Sequence, residues 1–142
     1  MRRILLILAV STLATIPAAG QAGDVISGHP DATDGATLVF EQDGTTRRVP
    51  LAGVSAPPAK AYPFGIWAHL ALRDAVAGTE VTCRLAARQT TGHCVAPGLG
   101  DLARWAVMNG FAALDPGAAG DPYAAAAREA RAARRGIWSD AR

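Results

Sequence analysis

The stretch TLVFEQDGTTRRVP, residues 37–50, decides the fold class of this chain. In its first half, Leu38 and Phe40 lie two residues apart and therefore share one face of a strand. Asp43-Gly44 is the residue pair typical of a two-residue turn between antiparallel strands. The stretch predicts a β-hairpin whose first strand is Thr37–Gln42.

The returning strand of this hairpin is predicted to span residues 45–54. Pro50 lies inside it, and proline cannot donate a hydrogen bond to a neighbouring strand. We therefore expect this strand at a sheet edge or at a bulge. Further short strands are predicted at residues 25–28, 80–85, 93–96 and 111–114.

Apolar spacing and helix-ending residues predict a first helix that begins at Gly65 and ends at Gly78. Its apolar face is formed by Ile66, Trp67, Leu70 and Ala71, with Ala75 and Val76 further along the helix. We expect all three tryptophans of the chain to pack in the core; they are Trp67, Trp105 and Trp138.

Two further helices are predicted from their terminal residues. Asp101 can cap a helix over residues 102–109, which Gly110 ends. Asp121-Pro122 can begin a helix over residues 123–135, which Gly136 ends.

Residues 1–22 have the order of a secretory signal peptide. Arg2 and Arg3 precede an uncharged apolar run, and small residues suited to cleavage follow Pro17. The run is shorter than the roughly 20 residues of a membrane span, so we expect cleavage, with an uncleaved anchor as the alternative. Residues 23–142 are then one domain in the periplasm or outside the cell.

Composition and charge place the chain among ordinary globular proteins. Half of its residues are apolar and 18% are charged. The formal charge is +2, but loss of Arg2 and Arg3 with the signal leaves equal numbers of basic and acidic residues. Overall charge therefore does not support nucleic-acid binding, and no later segment is apolar enough to span a membrane.

Cys83 and Cys94 are the two cysteines of the chain. In an exported protein such a pair predicts a disulfide, with two reduced thiols as the alternative. If the two residues face each other on neighbouring strands, the turn between them centres between Arg88 and Gln89. A zinc site is not expected, because His93 and Cys94 are strand neighbours that point to opposite faces.

The predicted order is three strands, a helix, two strands, a helix, a short strand and a helix. This order suits an α+β fold that is mainly β, namely a five-stranded OB-like Greek-key barrel with three packed helices.

Several motifs carry a resemblance to a known family. In chain order they are Asp34-Gly35-Ala36-Thr37, Val54-Ser55-Ala56-Pro57-Pro58, Pro63-Phe64-Gly65, Val81-Thr82-Cys83, Asp101-Leu102-Ala103 and the closing EARAARRGIW of residues 129–138. Their order and spacing resemble the staphylococcal-nuclease, or thermonuclease, family in its exported bacterial form. The resemblance implies calcium-dependent phosphodiester hydrolysis, in which carboxylates hold the cation, a glutamate activates water and two arginines clamp the phosphate.

The residues aligned with those functional positions differ here. Ala36 and Ser55 stand at the aspartates, Pro58 stands at the glutamate and Pro50 at the first arginine. The second arginine aligns with His93 or, if Cys94 matches a cysteine of exported members, falls in a deleted segment. The resemblance therefore implies a degenerate site, with no catalytic residue, no metal and no cofactor.

Two groups of arginines are candidates for anion binding. Arg48 shares a strand face with Pro50, whereas Arg128, Arg131 and Arg135 form one stripe at helical spacing. The alternative for each group is a solvated surface.

We therefore expect an exported, monomeric, thermonuclease-like protein that is catalytically inactive and acts as a binding or structural module. Its partner would be a periplasmic protein or an anionic ligand, and nucleic acid is only weakly supported. One alternative is a calcium-dependent or relocated-site phosphodiesterase acting on DNA or RNA. Another is a partner-binding subunit with no nucleic-acid role.

Overall fold

The computed structural model describes residues 23–116 and 122–140. Within them the chain is α+β and mainly strands. The strands are β1 (Val25–Gly28), β2 (Asp31–Asp34), β3 (Thr37–Gln42), β4 (Thr45–Pro50), β5 (Val54–Ser55), β6 (Val81–Leu85), β7 (Gly92–Ala96), β8 (Gly100–Asp101) and β9 (Ala113–Leu114). The helices are α1 (Phe64–Val76), α2 (Leu102–Met108) and α3 (Ala124–Ala132), and a 3-10 turn spans Gly136–Trp138. The predicted signal segment and the predicted cap Asp121 lie outside the described residues.

The strands pair antiparallel in three sheets, with the orders β1-β6-β7-β8, β2-β3-β4 and β5-β9. Consecutive strands β1 and β2 carry the chain from the first sheet to the second. Beyond β4, Leu51 forms a parallel bridge with Gly92 of β7. Ala52 N–H also donates to the Gly92 carbonyl at 3.0 Å. The two larger sheets are thus connected at two places.

The hairpin predicted from residues 37–50 is confirmed. Strands β3 and β4 pair from Gln42↔Thr45 to Thr37↔Pro50. Asp43 and Gly44 both have positive φ, as the two-residue turn requires. β4 is an edge strand, so Pro50 lies where a missing donor is tolerated.

The predicted returning strand is too long. β4 ends at Pro50, and Gly53 has a φ of 77°, a left-handed value that breaks an extended chain. The separate strand β5 begins at Val54 and pairs with β9. Neither β2 nor β8 is predicted from the sequence, because each is too short and too polar to show an apolar period.

The predicted buried face of the first helix is confirmed at Val76 and wrong in its first two turns. Trp67 is 52% exposed and Leu70 is 38% exposed, whereas the buried residues of α1 are Gly65, Ala68, Leu72 and Val76. Small residues decide this orientation. A Cβ atom on Gly65 would collide with the Pro58 carbonyl, and one on Gly35 would collide with Ala68. The helix therefore turns its small residues toward the closest backbone and leaves Trp67 outside.

The predicted beginning of the second helix is confirmed, because Asp101 Oδ1 accepts the Arg104 N–H at 3.1 Å.

The predicted end of the third helix is wrong. The first left-handed residue after α3 is Arg134, with a φ of 52°, two residues before Gly136, whose φ is 51°. Arg135 N–H donates to the Ala130 carbonyl and Arg134 N–H to the Arg131 carbonyl, each at 3.0 Å, which is a Schellman ending. Contacts with Gly110 impose this early stop, since Ile137 N–H donates to the Gly110 carbonyl at 2.9 Å.

The predicted disulfide is confirmed. Cys83 and Cys94 face each other in the register of β6 and β7, and their sulfurs are bonded at 2.03 Å. Both residues belong to the buried core with Leu38, Phe40 and Leu72. Trp105 packs partly buried against that core, as predicted.

Among the described residues, no helix is long and apolar enough to cross a membrane.

Candidate functional site

Four of the five positions singled out by the resemblance meet in one cavity. Ala36, Pro50, Ser55 and Pro58 all line a space of about 240 Å³, which we call the cleft. The other lining residues are Asp34, Thr37, Val54, Ala56 and Pro57. Residues more than 20 positions apart in the chain are therefore brought to a common wall by the fold.

Backbone hydrogen bonds hold this wall. The Ala36 carbonyl accepts the Leu51 N–H at 2.8 Å, which ties the turn after β2 to the end of β4. The Pro58 carbonyl accepts the Ala61 N–H at 2.8 Å. Ser55 is paired with Ala113 in the short β5–β9 sheet. The shape of the cleft thus depends little on which side chains face it.

The cleft has few groups capable of chemistry. Asp34 is the carboxylate on its wall, and Asp34 Oδ1 already accepts the Ala36 N–H at 2.8 Å. Ser55 is exposed and contributes a hydroxyl. The methyl and ring carbons of Ala36, Pro50 and Pro58 neither ligate a cation nor move a proton. Within the described ranges, no group of three or more His, Cys, Asp or Glu residues is placed to hold a metal ion.

His93 does not lie in the cleft. It lies on the outer face of β7, in a concavity of about 490 Å³ lined with Thr82, Arg84 and Val95. We call this concavity the groove. Arg84 is directly opposite His93 in the β6–β7 register. The structure therefore separates His93 from the other four positions.

Side chains anchor the edge of the groove. The Tyr123 hydroxyl donates to Asp101 Oδ2 at 2.8 Å, and its oxygen lies 3.5 Å from His93 Nδ1. Asp101 also caps α2 through its other oxygen. One carboxylate therefore fixes both a helix terminus and the phenol beside the imidazole.

The predicted arginine stripe on the third helix is not formed. Arg131 lies over the Trp138 ring, 4.3 Å from its centroid. Arg135 lies beyond the end of α3 and donates to the Met108 carbonyl at 3.0 Å and to Glu129 Oε1 at 3.1 Å. Arg128 is exposed. The early end of α3 takes Arg135 off the helical period, and its contacts direct it to the end of α2.

Arg48 lies on the exposed side of β4 and donates to Thr33 Oγ1 at 3.2 Å. It is not among the residues that line the cleft. Its neighbour Arg47 instead pairs with Asp24 at 2.7 Å. The sheet thus places each of these arginines against a polar partner near the strand edge.

Arg84, Asp101 and Tyr123 were not selected as site residues from the sequence. Arg84 had a usable signal, because the predicted pairing of residues 83 and 94 also places residue 84 opposite residue 93. Asp101 was predicted only as a cap. Tyr123 had no sequence signal, since its contact with His93 joins α3 to the face of a distant sheet.

No protein-family model matches this chain, and no curated protein matches it.

Proposed function

We propose that this chain is an exported thermonuclease-like module that binds a ligand or partner and does not hydrolyse phosphodiesters. The observation that carries the proposal is the meeting of Ala36, Pro50, Ser55 and Pro58 on one wall. An accidental resemblance between short motifs gives no reason for these positions to converge. Their convergence supports an inherited cleft whose cation ligands, base and phosphate clamp have been replaced.

The lack of catalysis follows from what the family chemistry requires. A hard cation needs oxygen ligands, and a general base usually contributes about 10²- to 10⁴-fold in rate. The alanine and prolines of the cleft supply neither. Asp34 and Ser55 alone cannot replace a carboxylate cage, a base and two arginines.

We further propose that the two larger sheets form the OB-like barrel that the resemblance implies. Two observations support it, the direct passage from β1 to β2 and the bridge between Leu51 and Gly92. Proton–proton contacts between the backbones of Leu51 and Gly92, measured by NMR, test this closure. If these contacts are absent in solution, the two sheets do not close into a barrel.

A location in the periplasm or outside the cell is part of the proposal. The Cys83–Cys94 bond supports it, because disulfides persist mainly in oxidising compartments. Intact-mass measurement of material from the periplasm tests it. We expect loss of residues 1–22 or a few residues fewer, together with one oxidised cysteine pair.

The functional test is a fluorogenic DNA and RNA cleavage assay with millimolar calcium, alongside calcium titration of the melting temperature. We expect background cleavage and no calcium-dependent rise in melting temperature. A Ser55→Ala, Arg48→Ala variant is the matched control. Calcium-dependent cleavage by the parent that is lost in this control would favour a relocated phosphodiesterase site.

A partner-binding subunit is the second candidate, favoured by an exposed apolar surface at the beginning of α1. Tyr62 is 83% exposed, and Trp67, which packs edge-to-face with Phe64 at 5.6 Å, is 52% exposed. Cross-linking in the periplasm, compared between the parent and Trp67→Ser, tests this candidate. A Val25→Ser variant removes a similarly exposed apolar residue elsewhere and serves as the control.

A further inference from the structure

A hydrogen-bonded chain of three side chains leads from the cap of α2 to the groove. Asp101 Oδ1 is occupied by the Arg104 N–H, and Oδ2 accepts from the Tyr123 hydroxyl at 2.8 Å. Tyr123 is only 4% exposed, so its ring is fixed by the core. The phenol oxygen then faces His93 Nδ1 at 3.5 Å.

This chain favours one tautomer of His93. The Tyr123 hydroxyl gives its hydrogen to the Asp101 carboxylate, which can only accept. A hydrogen bond between the phenol oxygen and His93 then requires the proton on Nδ1, since two acceptors do not form a hydrogen bond. Nε2, on the far side of the imidazole ring, is left for a ligand, because the bond made by one ring nitrogen sets the state of the other.

Polar donors of β6 line the groove together with His93. Arg84 is paired with His93 across the strands, and Thr82 is paired with Val95 on the same face. The Thr82 hydroxyl lies 2.9 Å from the Ser27 hydroxyl, and a hydroxyl can accept one bond while donating another. Val95, 51% exposed, adds an apolar surface to the same space.

The charges around His93 favour an anion with several oxygens. Arg84 is the charged residue that lines the groove with His93. Glu80 lines the adjoining concavity beyond Thr82 and Val95, and Asp101, on the other side of Tyr123, has both oxygens occupied. A guanidinium binds two oxygens in parallel. Protonated Nε2 and the Thr82 hydroxyl would each donate to a further oxygen, which matches the tetrahedral oxygens of a phosphoryl group better than the two oxygens of a carboxylate.

We propose that the groove is a binding site for a small phosphate monoester, held by Arg84, Thr82 and protonated His93, with its organic part against Val95. Binding takes up one proton from solvent on His93 Nε2. Tyr123 and Asp101 position the imidazole ring through Nδ1. This site lies apart from the cleft, so it goes beyond the function proposed above and stands or falls without it.

Isothermal titration of the full mature protein with phenyl phosphate tests the site, with inorganic phosphate and benzoate as comparison probes. We expect phenyl phosphate to bind most tightly, because it alone combines a phosphoryl group with an apolar body. Equal binding of benzoate would overturn the proposal.

Three variants locate the binding. Arg84→Gln should weaken phenyl phosphate binding about tenfold, the effect of losing a charge-assisted hydrogen bond. Arg128→Gln removes an equally exposed charge on α3 and should leave binding unchanged. If the two variants weaken binding equally, the attraction is general and the groove is not the site.

Tyr123→Phe tests the positioning role of the phenol. After thermal unfolding shows that this variant remains folded, we expect weaker phenyl phosphate binding. Nitrogen-15 spectra of the parent should show His93 with its proton on Nδ1. A proton on Nε2 in the neutral imidazole would contradict the assigned chain.

Discussion

The cleft and the groove are built in different ways. The cleft is held mainly by backbone contacts, such as the bond from Leu51 N–H to the Ala36 carbonyl, with one side-chain bond from Ala36 N–H to Asp34, and its walls bear mostly alanine and proline. The groove is held by side chains, since Asp101 fixes Tyr123 and Tyr123 faces His93. Its own lining includes a guanidinium and an imidazole.

Under the proposed function, this difference accounts for a cavity that keeps its shape although its functional groups have been replaced. A backbone bond does not depend on the residue type, so substitutions at Ala36 or Ser55 leave the wall in place. A site held by side chains loses its arrangement when one member is removed. The two regions should therefore respond differently to substitution.

The largest effect is expected from the disulfide behind the groove. Replacing Cys83 and Cys94 by alanine should lower the free energy of unfolding by about 3 kcal/mol, because the unfolded chain is no longer restricted by the crosslink. Urea unfolding, followed by tryptophan fluorescence, measures the loss. An unchanged midpoint would show that the strands β6 and β7 do not need the bond.

The next effect compares the carboxylates of the two regions. Asp101→Ala removes a helix cap and the acceptor of the buried Tyr123 hydroxyl, and should cost about 2 kcal/mol. Asp34→Ala removes one turn hydrogen bond to Ala36 N–H and should cost about 1 kcal/mol. Both losses are read from urea unfolding under one set of conditions. Equal losses would contradict the distinction between side-chain and backbone support.

A smaller effect is expected when carboxylates are returned to the cleft. The triple variant Ala36→Asp, Ser55→Asp, Pro58→Glu places three new charges near Asp34. Their repulsion should lower stability by about 1 kcal/mol, by analogy with like charges at close surface positions, and millimolar calcium should reverse part of that loss.

The same triple variant should not cleave DNA, since Pro50 still occupies the position of the first arginine. A fluorogenic assay checks this, with the parent as the control. Cleavage by the triple variant would show that the cleft needs only carboxylates to regain activity.

The smallest effect is expected at Arg48. Its hydrogen bond to Thr33 is exposed, and exposed substitutions usually change stability by less than about 0.5 kcal/mol. Arg48→Ala should therefore leave both the melting temperature and phenyl phosphate binding unchanged. A loss of binding with intact stability would place the anion site on β4 and not in the groove.

Features governed by neighbouring residues were predictable from the sequence. The Asp43-Gly44 turn, the cap Asp101 and the opposed cysteines each follow from a few adjacent positions and a fixed strand or helix period. The register of Cys83 and Cys94 also contained the pairing of Arg84 with His93, although the residues were not selected as a site.

Features governed by distant contacts were not predictable in this way. Trp67 lies on an apolar helical period, yet α1 is oriented by the close approach of Gly65 and Ala68 to other segments. Arg134, and not Gly136, ends α3, because the chain must reach Gly110.

The sequence by itself determined the hairpin, the helix beginning at Asp101, the disulfide and which side chains stand at the positions of the resemblance. The tertiary structure alone decided that four of those positions share one cleft and that His93 belongs to a separate groove. The physical reason is the distance along the chain between the residues that interact. A turn or cap is a local choice of backbone angles, whereas the chain from Asp101 through Tyr123 to His93 exists only after the second helix, the third helix and the sheet have packed together.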